Sequence, residues 1–335
     1  MTIADFLALD WSDDGQALIE APLPSPILAD PSFLFPAETP DGSWALFAHT
    51  AFGIRRYSSA DGLVWRDRGM VLRNAMRAFV RRVDGEYLLC FERYRPLAIP
   101  LQLLPRRPRW RSRLEYARSL DLRSWSRPEP LLEADFEWAK DEGLGESVSN
   151  PCLVPTKDGW RLWFSASLVT IPDCGFDEPR FIGCAEAAVP RGPFRAEALP
   201  RIGPGEGRAA PRAGLVGTVS SPDPHDGAEL GAGSIKVFEL ADGWLGLQNR
   251  IYRDEEGRSR SALFILRSDD GLAFRSAREA PLLAPSTGWR SSHVYACDCR
   301  RDPADGAWYL YYNARDGWYK TEGRERIGRI VAKAS

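Results

Sequence analysis

The chain has 335 residues, 44% hydrophobic and 27% charged, with a formal net charge of −2, so no excess of either sign points to nucleic acid or an anionic membrane as a partner. No segment approaches the ~18 consecutive apolar residues of a membrane-spanning helix. The opening MTIADFLALDWSDD has neither the basic stretch nor the apolar run of an export signal, and a cytoplasmic location is the expectation.

In chain order, the first turn phrase is WSDDGQAL (11–18), and close variants return as SSADGLVW (58–65), RSLDLRSW (118–125) and RSDDGLAF (267–274); AEAAVPRGPF (185–194) stands where a further copy is due. The shared core is Ser-x-Asp-(Gly/Leu)-x-x-apolar; in an Asp-Gly pair the Asp bonds its own backbone and the Gly supplies positive φ, the chemistry of a tight hairpin turn. Upstream of the phrases a second signal recurs, a strand, an Asp-Gly turn and an aromatic-rich strand: FLFPAETPDGSWALFAHT, AFVRRVDGEYLLCFERY, PCLVPTKDGWRLWFSAS, IKVFELADGWLGLQNRIY and VYACDCRRDPADGAWYLYYNAR.

Length alone suggests about two domains, but short strands repeating at this period argue for one closed all-β ring. The expected fold is a five-bladed β-propeller, with approximate blades 27–72, 73–133, 146–200, 232–284 and 290–335. The last unit ends at RIGRIVAKAS, a third strand with nothing after it. Residues 5–22 supply its missing turn and outer strand, so the two chain ends should pair and close the ring.

Turns within blades are short, whereas the connections on the opposite face are long: 95–113, 169–180 and the Gly/Pro-rich link from Arg201 to about Gly233. Long loops concentrate function, which places the site on that face. The basic loop 95–113 is either a solvated segment or a rim that grips a sugar or anion through Arg106, Arg107, Arg109 and Trp110. The six cysteines lie mostly in apolar runs and read as reduced thiols. Cys297 and Cys299 share a strand face but are too few for a metal site.

One carboxylate, Asp30, interrupts the apolar run ILADPSFLF (27–35). That stretch, with the Asp-Gly turn and aromatic strand after it, resembles the opening blade of glycoside hydrolase family 43 and related five-bladed families, in which the aspartate of Ala-Asp-Pro is the general base. SSHVYACDCRRDPADGAWYLYYNA (291–314) is similar to the family's fifth-blade pattern. The resemblance implies Asp30 as base or nucleophile and His293 beside the axis, near an ordered water or a metal ion, with no other cofactor. Two departures stand out. Where the family carries a pKa-modulating Asp in blade 2, counting back from Asp84-Gly85 puts Phe79, and where it carries a general-acid Glu two residues before a Pro in blade 3, SNPCLV puts Ser149.

Glycoside hydrolysis uses two carboxyl groups, so Glu146, in the link toward blade 3, or Glu92, ending CFERY, is the expected acid. Sugar-binding groups expected at the funnel are Arg77 and Asn74, Asn150, Ser234 and Lys236, then Gln248, Asn249, Arg250, Asn313 and Arg315. The resulting expectation is a carbohydrate-active enzyme taking a small-molecule or oligosaccharide substrate. The alternatives are a non-catalytic propeller binding a glycan or small ligand, or a diverged phosphorylase-like or metabolite-tailoring enzyme.

Overall fold

The structure, a computed structural model, describes residues 1–333 apart from 103, 105 and 205–228. Five antiparallel sheets form the blades of a propeller. Blade 1 runs Ala29–Leu34, Trp44–Thr50, Gly53–Ser59 and Arg66–Arg73 from axis to rim; blade 2 runs Ala75–Val83, Glu86–Tyr94, Trp110–Ser119 and Glu129–Leu132. Blades 3 and 4 begin with Val148–Thr156 and Glu229–Leu240. Blade 5 contributes His293–Arg301, Trp308–Arg315 and Glu325–Ala332, and its fourth strand is Trp11–Asp13 from the other end of the chain. The expected closure is therefore present, with Trp11 opposite Ala332 and Asp13 opposite Ile330. A short helix, Ile3–Leu7, precedes this strand and buries Phe6 against Phe238 and Trp308.

The core is a series of layers between blades. Phe47, Val80 and Leu89 belong to the layer joining blades 1 and 2, and Phe33, Leu46 and Tyr311 to the layer joining blades 5 and 1. Each layer needs side chains from two sheets, which is why no blade is self-sufficient. All six cysteines are free and buried.

The repeated turn phrase has one hydrogen-bond pattern. Ser59 Oγ donates to Asp61 at 2.8 Å and accepts the Gly62 N–H at 2.9 Å, while Asp61 accepts the N–H groups of Leu63 and Val64. Ser119 with Asp121 and Ser268 with Asp270 repeat it. The diverged copy also forms a hairpin, with Arg195–Ala196 pairing Ala185 and Glu186.

Blade 2 departs from the expected boundaries. Its sheet is extended by Lys140–Asp141 and Gly145–Glu146, the latter running parallel to Trp110 and Arg111. Glu146 thus belongs to the edge of blade 2 rather than to a free link. Among the described residues, no helix is long and apolar enough to cross a membrane.

Candidate functional site in the axial funnel

Each innermost strand breaks register near its start: between Ala29 and Ser32, Met76 and Phe79, Ser149 and Cys152, Gly231 and Ser234, and Val294 and Cys297. A bulge of this kind re-aims a side chain. Four of the skipped positions, Asp30, Arg77, Asn150 and Gly233, have φ between 51° and 64°. Asp and Asn tolerate this left-handed conformation better than most residues. The register makes Arg77 and Asn150 the counterparts of Asp30, whereas Phe79 aligns with Ser32; counting back from the turn had placed Phe79 two positions too far along. All three polar bulge residues line the funnel.

The funnel is a cavity of about 200 Å³ whose polar lining includes Asp30, His49, Glu178, Asn249, Tyr295, Asn313 and Glu325. Ile99 from the blade-2 loop and Phe176 from the blade-3 loop add apolar lining. Asp30, Glu178 and Glu325, from three blades, share this space with a fourth carboxyl group, Asp177, which Arg107 engages. Burial pushes Asp30 up against the pull of Arg77 and Lys236. Burial raises Glu178 to about 8, opposed by Arg77 and reinforced by Glu325, Asp30 and Asp177. Glu325 is raised to about 7 by burial and Asp30, although Arg315 draws it down. Like charges crowded in a dry site titrate upward, because ionising one raises the cost of ionising the next.

Neighbouring side chains hold the three in place. Asn313 accepts the Asp30 N–H at 3.1 Å and donates to Glu325 at 3.4 Å, so one amide links two of the acids. His49 Nδ1 lies 3.4 Å from Asp30 Oδ2 and accepts the Arg77 N–H at 3.3 Å. Burial, with Arg77 adding to it, lowers His49 to about 3, so the ring is neutral. Glu178 enters the funnel because Asp177–Ala187 pairs with Gly159–Thr170, setting Glu178 opposite Val169. The adjacent Asp177 is engaged by Arg107 at 2.9 Å and by Thr170 at 2.7 Å.

Several expected residues lie elsewhere. Glu146 is outside the funnel lining, in an ion pair with Arg111 at 2.9 Å at the edge of blade 2. Glu92 is fully buried behind the funnel, where it accepts Arg77 Nη1 and, at 3.0 Å, the indole of Trp110. It fixes Arg77 rather than facing the cavity. Strand alternation decides the blade-4 set: Asn249 faces the funnel, while Gln248 donates to Ala232 O and Arg250 stacks over Phe264. Arg315 pairs with Glu325 at 3.5 Å and covers the Phe176 ring. Of the ten expected binding residues, Arg77, Asn150, Asn249 and Asn313 line the cavity; Asn74, Gln248, Arg250 and Arg315 do not. Ser234 lines it too, but Lys236 donates to Pro151 O below it.

His293 stacks face to face on Tyr295 at 5.4 Å, and its Nδ1 meets the Ser292 hydroxyl at 2.7 Å. Phe176 covers another side. Two aromatic rings and a hydroxyl do not make the donor set of a metal ion. Among the described residues, no group of three or more His, Cys, Asp or Glu is arranged to hold one. The residues present therefore do not fit the metal that the resemblance implied.

In the basic loop, Arg107 is taken up by Asp177 and Trp110 by Glu92, so both brace the funnel wall, while Arg106 and Arg109 are exposed. Most of the link after Arg201 falls outside the described residues. Sequence reasoning missed His49, Glu178 and Glu325. Glu178 lies in the loop singled out for its length, VTIPDCGFDEPR, yet nothing in that stretch separates an acid facing inward from one facing solvent.

No protein-family model matches the chain, and no curated protein matches it. Solved structures do. A glycoside hydrolase is 13% identical, with 99% of this chain and 96% of that one covered at a TM-score of 0.65. A thermostable family-43 glycoside hydrolase is 11% identical, covering 91% and 89% at 0.57. An N-acetylgalactosamine deacetylase from F. plautii, in complex with blood group B trisaccharide, is 12% identical and covers 97% and 95% at 0.62. At such identities the likeness is one of fold. The protein therefore has the five-bladed propeller fold found in these glycoside hydrolases, closed through its own chain ends.

Proposed function

We propose that the protein is a carbohydrate-active enzyme that cleaves a glycosidic bond in the axial funnel, with Glu178 as general acid and Asp30 as base or nucleophile. The observation that carries this reading is the meeting of Asp30, Glu178 and Glu325 in one buried cavity, with Glu178 raised to about 8. A carboxyl group that keeps its proton at neutral pH can deliver it to a leaving oxygen. Arg77 and Lys236 favour the ionised form of Asp30. Asn150, Asn249 and Asn313 offer amides for hydroxyl groups.

The cavity, at about 200 Å³, is below the usual range of roughly 300–1,000 Å³ for drug-sized ligands. A pocket of that size fits one sugar ring, which favours attack on a terminal residue over cleavage within a chain. The deacetylase among the structural neighbours means that the fold alone does not select this chemistry.

The test is turnover of a panel of aryl glycosides, with and without phosphate, by wild type, Asp30→Asn and Glu178→Gln. Turnover by wild type that falls by about 10²–10⁴ in Glu178→Gln is expected. Absence of turnover across the panel, with sugar binding retained in calorimetry, would instead identify a binding module.

A further inference from the structure

A second polar cleft lies on the opposite face of the ring, among the Asp-Gly turns, where blade 1 meets blade 2. It encloses about 590 Å³ and is lined by Arg56, Arg68, Arg123, Asp41, Trp125 and Leu72, among others. Among the lining residues three guanidinium groups face one carboxylate, and with the charge of the nearby Asp121 included the cleft keeps a positive excess. Asp41 is 3.6 Å from Arg56 and 3.8 Å from Arg123, and its Oδ1 also accepts from the Ser43 hydroxyl at 2.6 Å. The nearby Asp121 is committed to capping its own turn through Arg123 N and Ser124 N.

Arg56 is the informative residue. It is only 5% exposed, its Nε has no hydrogen-bond partner, and the Trp125 indole N–H in the same cleft has none either. Buried donors left unpaired are costly, and a buried cation more so.

The fold supplies its own comparison. Arg56 lies opposite Phe47, three residues before the Ser59–Trp44 pair; Arg329 lies opposite Tyr311, three residues before the Ala332–Trp308 pair. The two arginines therefore hold equivalent places in blades 1 and 5. Both leave Nε unpaired, but the Nη groups of Arg329 donate to Asp14 at 3.1 Å and to Gly62 O at 3.4 Å. Arg56 instead has only the Asp41 carboxylate at 3.6 Å, beyond hydrogen-bond distance, and two further arginines crowd it.

We propose that this cleft binds the phosphoryl group of a small anionic ligand. A phosphoryl anion matches the positive excess, and guanidinium forks suit its tetrahedral oxygens. The ligand is either free phosphate or a sugar phosphate, which present the same group. The inference stands independently of the chemistry assigned to the funnel.

Isothermal titration at constant ionic strength with inorganic phosphate, glucose 6-phosphate and acetate tests it. Saturable binding of phosphate or the sugar phosphate is expected, with acetate weaker by about tenfold or more. Arg123 is 70% exposed in its side chain, so Arg123→Ala should fold normally; it and Arg56→Gln should each weaken binding by about tenfold. Arg275→Ala, the same charge change on blade 4, should leave binding unaltered. Phosphate bound without the sugar phosphate supports the site and makes the free ion its ligand. Acetate binding as tightly as phosphate, absence of saturable heat, or heat that survives Arg123→Ala and Arg56→Gln but vanishes in Arg77→Gln would overturn the proposal.

Discussion

Asp30 and Glu178 are both buried acids lining the funnel, yet only Asp30 is conspicuous in the sequence. It interrupts a buried strand, whereas Glu178 follows Asp177 in a long connection of the kind that normally carries solvated charge. Its burial gives it a pH signature. The folded-state value near 8 exceeds the ordinary glutamate value of 4.5, so the protonated side chain favours folding below 4.5, and that contribution is lost as pH rises through about 8. The melting temperature of wild type should therefore fall from pH 5 to pH 8, and Glu178→Gln should flatten the decline. Glu325, near 7, acts in the same direction, so the double variant Glu178→Gln/Glu325→Gln should flatten it further. For the proposed general-acid role of Glu178 the sign is parallel: kcat/KM should drop as pH rises through about 8, and that alkaline limb should disappear in Glu178→Gln.

At the level of elements, two devices recur, and they differ in how readable they are. The Ser-x-Asp turn is local, because Ser, Asp and the backbone it caps lie within a few residues. Its hydrogen bonds follow from the phrase itself. Ser268 is fully buried and serves both Asp270 and the Gly271 N–H. Ser268→Ala should cost about 1–2 kcal/mol, measurable as a shift in the urea midpoint without a change in slope. Gly271 has φ +69°, and an added Cβ would meet the Trp244 ring at 2.7 Å. At the matching place Leu122 has φ 61° and is fully buried in the core, so local turn chemistry tolerates what packing permits.

The bulge is the second device, and it is not local. Which residue is skipped depends on the pairing of two strands, and a slip of one position exchanges the two faces. Expectations for Gln248 and Arg250 failed on that point, with Asn249 between them taking the funnel position.

For the whole molecule, closure through the chain ends makes the N-terminal segment part of the ring. Phe6 is fully buried and touches Trp11, Phe238 and Trp308, joining blades 4 and 5. Phe6→Ala should destabilise the protein by about 3–5 kcal/mol, a large effect for a residue so near a terminus, and denaturant unfolding would measure it. Loss of only a few tenths would mean that the helix Ile3–Leu7 is dispensable for closure.

The sequence by itself determined the number of blades, the position of the turns, the pairing of the chain ends and the prominence of Asp30. All of these depend on short-range chemistry repeated at a regular period, or on an incomplete last copy. Only the tertiary structure decided which acids accompany Asp30. Glu178 and Glu325 come from loops and strand ends of different blades, about 150 residues or more from Asp30 along the chain, and they meet only because the ring is closed. Glu146 and Glu92, closer in sequence to the expected motif, were drawn away by Arg111 and Arg77. A buried carboxyl near an arginine pairs with it when geometry allows, and that geometry is set by the register between strands.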